Sequence, residues 1–447
     1  MINGLELRNL ADDAVRVARS CGADFADLLI SWGRQLSVSI EANDVRLCEQ
    51  HEPCGYSVRT FVGGGVGSSS GDGLPTRAQL AEHVAQAVSM AKLAGRDPDF
   101  VDLPGPAEPL AQESAMELFD PAIEAVSLAD AVRLAHESIE QAVAIDPAVN
   151  LSGDASFASG TALLASSTGV TIESAATLGC LSLFAVVRDG DDVGSFADFT
   201  TGRRWADLQI EALAEQVARS ARRYQHARPC PARTMTLLLG PMAGYALLGG
   251  LAAAASAESI RRKRSLLAGR QGQMIASAAL SLADRPLEPR GIHSSAFDAE
   301  GSPRRPVVIV DRGVFAAPLT NHYNARLAGV VNTGHGTRRD GVSPTNLHVG
   351  LGSRAEAELI REVDDGVYLE AGSLSPDPAS GDFSEVLDFA FKIDRGQLTY
   401  PLAGAMAAGN MADLLKHIDA TSSDYRAEPG QVLPAVRIGQ VQFSGGG

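Results

Sequence analysis

The sequence predicts an α+β fold, with an N-terminal α/β domain followed by a β-rich, barrel- or sandwich-like C-terminal domain. Three observations lead there. Helical and strand periodicities alternate through the first half. The second half changes to short β-prone pieces between turns, without regular βαβ alternation. Among 447 residues, 45 glycines stand against two tryptophans and seven tyrosines, so turns and small-residue packing shape the chain more than aromatic anchors do. The length suggests two or three domains. The economical division places 1–229 in the first, itself divisible at about 1–100 and 122–229, and 230–447 in the second, with the boundary at Pro229, Cys230 and Pro231.

Leu5, Leu7, Leu10, Val15 and Val17 recur at helical spacing among Arg and Asp and stop at Gly22, predicting a first helix. Residues 27–31 and the alternating Leu36, Val38 and Ile40 predict half-buried strands, and residues 55–62 another. Thr76 with Gln79 is a capping-box signature for a helix running to Ala94, and Ser127 with Asp130 opens a second one to about Ala144. Prolines 104, 106, 109 and 121 mark the intervening stretch as an ordered surface connection. Residues 162–166, 170–174 and 181–187 predict strands, and a helix from Trp205 to about Tyr224 closes this half. The second half opens with a strand at 235–239 and an Ala-rich helix, then short strands such as 307–310 and 367–369.

The net charge of −16 repels phosphate backbones and argues against a nucleic-acid partner. The basic run Arg261, Arg262, Lys263, Arg264 is the exception, and its simplest reading is a solvated face. Five cysteines without CxxC spacing fit reduced thiols in the cytoplasm. Neither a signal peptide nor a bilayer-length apolar run is expected, since the most apolar stretch, 243–257, falls short of the ~20 residues a crossing needs.

Isolated catalytic motifs are weak. Residues 67–71 match G-x-S-x-G, but that pattern needs a sharp strand-to-helix turn, and the Gly-rich stretch 63–73 reads more simply as a flexible hairpin tip. His136 and Glu137 begin an H-E-x-x-H pattern that ends on Glu140 instead of His. His293, His322, His335 and His348, with Asp298 and Glu300, form an inventory for a metal site, but their spacings are long and include no tight pair. Asp298 and Glu300 are better read as satisfying a turn within a hairpin at 297–301.

Several segments taken in order resemble one family. SLLAGRQGQ at 265–273, FDAEG at 297–301, NARL at 324–327 and NTGHG at 332–336, with GADFAD at 22–27 and GYSVR at 55–59, are similar to the signature of TldD/TldE (PmbA) peptidases. That resemblance implies a fold of the TldD/PmbA type and a family of paired subunits. A TldD type carries an H-E-x-x-x-H zinc motif and a C-terminal Cys ligand, and a TldE type lacks them. In the metal-bearing type the motif follows a short hydrophobic strand, matched here by 236–239. On that placement Gly240 replaces the first His, Pro241 the Glu and Tyr245 the second His. Gly and Pro offer no donor atom, and a neutral phenol is a poor zinc ligand. Without the Glu no carboxylate takes a proton from metal-bound water. No cysteine follows Cys230, so the third ligand is missing as well.

The resemblance therefore implies a TldE-type chain with no catalytic residues and no metal of its own. Zinc is expected in a TldD-type partner, with which the chain would form a heterodimer and admit extended, unfolded peptides through a shared channel. Residues expected to touch substrate are Asn321, His322 and Tyr323 together with Thr333, Gly334 and His335, with Tyr245 lining the vestigial pocket. A homodimer is compatible with absence of the partner. The alternatives are a self-sufficient amide or peptide hydrolase with a relocated site, and a non-catalytic peptide-binding protein.

Overall fold

The structure, a computed structural model, describes residues 4–338, 341–426 and 428–445. The side chain of Leu5, counted in the first predicted helix, lies outside the described residues. The α+β architecture is as the sequence predicts.

The first sheet contains β1 (Phe25–Glu41), β2 (Asp44–His51), β3 (Cys54–Val62), β4 (Gly65–Asp72), β5 (Val149–Ser166), β6 (Thr171–Asp189) and β7 (Asp192–Gly202). Their order is β4-β3-β1-β5-β6-β7, with β2 also on β1, and every pair is antiparallel. Residues 27–31 and 36–40, which read as separate strands, are two halves of the single strand β1. The strand changes partner midway, pairing with β3 up to Trp32 and with β2 from Gln35, while β5 runs along its other edge throughout. Gly33 marks the changeover: a Cβ there would stand 2.3 Å from the Ser159 carbonyl oxygen.

The stretch 63–73 is not a flexible tip. Gly63 and Gly64, at φ of 56° and 85°, make a tight turn, and β4 continues the sheet. Its glycines are required because the helix Arg77–Leu93 lies almost against the β4 backbone. A Cβ on Gly67 would stand 2.0 Å from the Ala87 carbonyl oxygen, and one on Gly65 2.4 Å from that of Ala91.

Both predicted capping boxes form, at Thr76 with Gln79 and at Ser127 with Asp130, the latter opening the helix Leu128–Ile145. A 3-10 turn forms at Trp205–Asp207, where the sequence predicts the helix to start, and the α-helix itself begins at Ile210. Residues 205–209 are instead held to their surroundings, with the Trp205 N–H donating to Asp120 and the Gln209 N–H to the Thr200 hydroxyl.

The second half builds two further sheets from β8 (Arg228–Pro229), β9 (Thr234–Leu239), β10 (Leu282–Asp284), β11 (Val307–Asp311), β12 (Val314–Phe315), β13 (Leu347–Val349), β14 (Asp365–Ala371), β15 (Asp382–Val386), β16 (Phe389–Asp394), β17 (Gln397–Ala403), β18 (Ala405–Asn410), β19 (Ile418–Arg426) and β20 (Leu433–Gly445). The larger has the order β15-β18-β20-β9-β14-β16-β17-β8 with β19 on β20, and the smaller has β12-β11-β10-β13. Strand β9 sits inside the larger sheet, parallel to β14 and antiparallel to β20, and is covered on both faces. Leu237 and Leu239 join a core with the helix Pro241–Ala254, whereas Leu238 joins a core with the helices Leu128–Ile145 and Ile210–Arg223. That explains the unbroken apolar run where an exposed strand would alternate.

The core around Leu238 runs continuously from Leu36 and Leu151 of the first sheet to Tyr368 and Phe391 of the largest one. Aromatic rings sit at the junction. Phe196 stacks on Tyr224 at 5.7 Å and meets Phe389 at 5.3 Å, and Tyr224 lies 4.7 Å from Phe391 while donating its hydroxyl to Glu370. Phe196 is 1% exposed. Phe196→Ala is expected to cost about 3–5 kcal/mol in denaturant unfolding, and a loss below about 1 kcal/mol would show that this ring does not tie the two sheets together.

Candidate functional site

A cavity of about 230 Å³ lies where the first sheet meets the second half of the chain. Strand β3 supplies Arg59 and Phe61, the connection after the helix Arg77–Leu93 supplies Asp97, Phe100 and Asp102, and the second half supplies Arg261 and residues 321–324.

One wall is set by the sheet register. Asp27 in β1 lies directly opposite Arg59 in β3, and the two are 2% and 3% exposed. Arg59 donates from Nη2 to the Asp27 carboxylate at 2.6 Å, and Arg338 reaches the same carboxylate at 2.9 Å from the other half of the chain. Arg338 also donates to the Ser57 hydroxyl and carbonyl. Burial alone would push the Asp27 carboxyl up, but the two guanidiniums outweigh it and hold the group below its usual range.

The opposite wall is the short helix His322–Ala328. Asn321 caps it, accepting from the Asn324 N–H, and donates its amide to Glu300, which also accepts from the His322 N–H. His322 Nε2 lies 2.7 Å from Asp102, and the Tyr323 hydroxyl donates to Asp97 at 2.9 Å. Burial, then that hydrogen bond, push the Tyr323 phenol up. Arg261 lies 5.4 Å from the centre of the Tyr323 ring and donates to Asn324. Phe61 stacks on Phe100 at 4.6 Å, which fixes the connection bearing Asp97 and Asp102.

Of the residues expected to touch substrate, Asn321, His322 and Tyr323 line this cavity, whereas Thr333, Gly334 and His335 do not. His335 is 1% exposed and bridges Thr333 and the fully buried Asp284, each at 2.9 Å. Thr333 exchanges hydrogen bonds with Thr320, and Gly334 at φ 68° would bring a Cβ within 2.4 Å of the Pro303 carbonyl oxygen. For Gly334 and His335 the expectation is corrected: packing and hydrogen bonding use them inside the protein. Sequence reasoning missed Asp97, Asp102, Phe61, Phe100 and Arg59. The basic run was a usable signal, since Arg261 is organised at the cavity and not free in solvent.

A second cavity, about 340 Å³, is lined by Tyr245, Ala246, Gly249, His293 and Ser343 among others. Burial and the neighbouring Arg203 push the His293 imidazole down, favouring its neutral form. Gly240 and Pro241 do not line this cavity. Gly240 caps the helix Pro241–Ala254 beneath β14, where a Cβ would meet the Tyr368 hydroxyl at 3.0 Å and backbone oxygens at 3.1 and 3.2 Å. A histidine at position 240 would therefore be directed into packed protein, while Gly249 faces open space.

The other motifs resolve structurally. Ser69 lies inside β4, not on a strand-to-helix turn, and its hydroxyl meets His83 Nδ1 at 2.7 Å and Gln86. Asp298 accepts from the N–H groups of Glu300, Ser302 and Gly336, as a turn carboxylate should. Among the described residues no three His, Cys, Asp or Glu side chains form a group that could hold a metal ion.

Fold and cavity together define a multi-sheet α+β protein with a ligand-sized site at the junction of its halves. The chain belongs to the PmbA/TldD family: residues 232–445 match the PmbA/TldA metallopeptidase C-terminal domain, 121–224 the central domain and 26–91 domain 1. Metalloprotease PmbA from Escherichia coli O157:H7 is 25% identical over 98% of this chain and 97% of its own. A metalloprotease from Methanothermobacter thermautotrophicus is 28% identical over 60% of this chain, a match covering 62% of its own length. The crystal structure of TldE from Thermococcus kodakarensis superposes with a TM-score of 0.87 at 22% identity, covering 98% of this chain and all of the other, and so shares the fold.

Asp27→Asn should destabilise the protein by about 3–5 kcal/mol at neutral pH, because Arg59 and Arg338 would both lose the buried carboxylate they contact. The pH dependence follows from the depressed carboxyl. Its contribution is present above the unfolded-state value of ~3.9 and is lost as pH falls through the lower folded-state value. Urea titrations of both forms across that range should show the variant lacking this part of the acid dependence, and an unchanged profile would remove Asp27 from it.

Proposed function

We propose that this chain is the TldE-type, non-metal-binding subunit of a heterodimeric zinc metallopeptidase, working with a TldD-type partner and admitting extended, unfolded peptides to the partner's zinc. The reading is carried chiefly by one observation: a member of this family whose sequence has no H-E-x-x-x-H and no cysteine after Cys230. The residues present do not suit zinc. The cavity beside the helix Pro241–Ala254 offers one imidazole, His293, with a phenol and hydroxyls, far from the three or four strong ligands zinc needs. No step is therefore assigned to a metal in this chain. In this proposal Tyr245 lines the vestigial pocket while Gly240 and Pro241, which pack away from it, mark only the start of the degenerate zinc-motif segment, and residues 1–229 and 230–447 act as the chain's two units.

The junction cavity is chemically suited to holding rather than cleaving. Its described lining contains no Ser, Thr or Cys nucleophile, and its carboxylates are engaged: Asp97 by Tyr323, Asp102 by His322 and Arg326, and Glu300 by the Asn321 amide and the His322 N–H. Aromatic surface and a guanidinium with no carboxylate partner among the described residues, Arg261, are what it presents to a ligand. Work in the cytoplasm suits five cysteines that are all free, and none of the described helices is long and apolar enough to cross a membrane.

Metal content and peptidase activity of this chain alone, then mixed with the TldD-type protein of the same genome, test the proposal. No stoichiometric zinc and no turnover alone, with chelator-sensitive cleavage of an unstructured peptide only in the mixture, is the expected result. Zinc or cleavage by the isolated chain would overturn it. In the mixture, Tyr323→Ala should raise KM roughly tenfold with kcat changed by less than about twofold, as for a residue that holds peptide without touching the reacting atoms. A loss confined to kcat would instead place Tyr323 at the chemistry.

A further inference from the structure

We propose that the open edge of β6 at residues 171–175 is a docking site for an extended peptide carrying a basic side chain. The inference rests on the reading that this protein handles extended peptides, and adds a place and a charge preference.

The edge is open because β6 outruns its neighbour. Strand β5 pairs with it from Thr171 to Val187, whereas β7 begins only at Gly179. Hydrogen-bond alternation tells which groups face outward. The Ser166 N–H donates to the Val170 carbonyl, closing a hydrogen-bonded pair, so Thr171, Glu173 and Ala175 direct their N–H and C=O away from β5. Thr177, the next residue of that set, does use its outward N–H, donating to the Leu118 carbonyl at 3.0 Å. No described residue takes the three before it. They span ~13 Å, which matches about four peptide units of an added strand.

A groove of about 480 Å³ lies along the first part of this edge, at Thr171, Ile172 and Glu173. Its far wall contains Pro106 and Pro109, which have no N–H and cannot close onto β6 as a strand. Ile172 and Phe297 give the groove an apolar floor. Two carboxylates line it. Glu173 is paired with Arg8 at 2.7 Å, but Glu113 has no hydrogen bond or ion pair among the described residues. Burial pushes the Glu113 carboxyl up, as expected of a half-enclosed acid lacking a cation. Backbone geometry thus selects an extended segment, and Glu113 selects lysine or arginine within it.

Fluorescence anisotropy on the full chain provides the test, using a short labelled alanine/serine peptide with one central arginine and its norleucine counterpart. The arginine peptide should bind about tenfold more tightly, and Glu113→Gln should abolish that difference. Ala175→Pro removes only an outward N–H, leaves the β5 ladder intact and should weaken both peptides at least about tenfold. A matching melting temperature checks that this variant is folded, and Thr171→Pro serves as its duplicate. Methylating alternate peptide amides should abolish binding in one register and spare it in the other. Equal affinities across these peptides and variants would overturn the proposal. So would loss of self-association or of partner binding in Ala175→Pro with peptide affinity unchanged, which would assign the edge to another subunit. Chelator-sensitive turnover in the mixture is scored separately, so failure here leaves the subunit assignment standing.

Discussion

Asp27 is one carboxylate shared between two guanidiniums, with almost no water near it. Desolvating three charges is expensive, and the arrangement survives because the carboxylate oxygens are occupied and Arg338 has a second set of acceptors on Ser57. Arg59 comes from the neighbouring strand and Arg338 from the other half of the chain, so the carboxylate aligns β1 with β3 and both with the C-terminal loops. A register slip of one residue would turn Asp27 to the other face and take from both guanidiniums the buried carboxylate they share. The position of the cavity wall bearing Arg59 follows from this alignment.

Close backbone packing does the rest of the positioning. Glycines 65 and 67 let the helix Arg77–Leu93 rest on β4, and the chain leaving that helix crosses β3, where Phe100 stacks on Phe61. Asp97 and Asp102 lie on that crossing segment, within reach of Tyr323 and His322. The site is therefore assembled from a hairpin, a connection and a short capped helix that lie far apart in sequence.

The pairs His322–Asp102 and Tyr323–Asp97 have the separations of acid–base partners, yet their surroundings direct them to orientation. Asp102 also binds Arg326, Glu300 caps the helix that carries both ring residues, and no nucleophilic side chain stands beside either pair among the described lining residues. The fold similarity to the TldE structure covers 98% of the chain, and the sequence contains no H-E-x-x-x-H and no cysteine after Cys230.

Local signals in the sequence carried far. Both capping boxes, the buried strand of three leucines and the turn carboxylate Asp298 depend on residues a few positions apart, and neighbouring backbone geometry enforces them. Strand lengths, the strand β4 within 63–73, the placement of Gly240 and the membership of the cavity were not legible in this way. Long strands read as fragments because β1 exchanges one partner for another at Gly33, and the Gly/Ser stretch read as mobile because the helix that packs against it follows later in the chain. His335 looked available, but its partner Asp284 lies 51 residues away. Composition and short-range pattern determined which local elements the chain could form; which groups met, and which were buried, was decided by strand register and close packing between segments that share no local sequence.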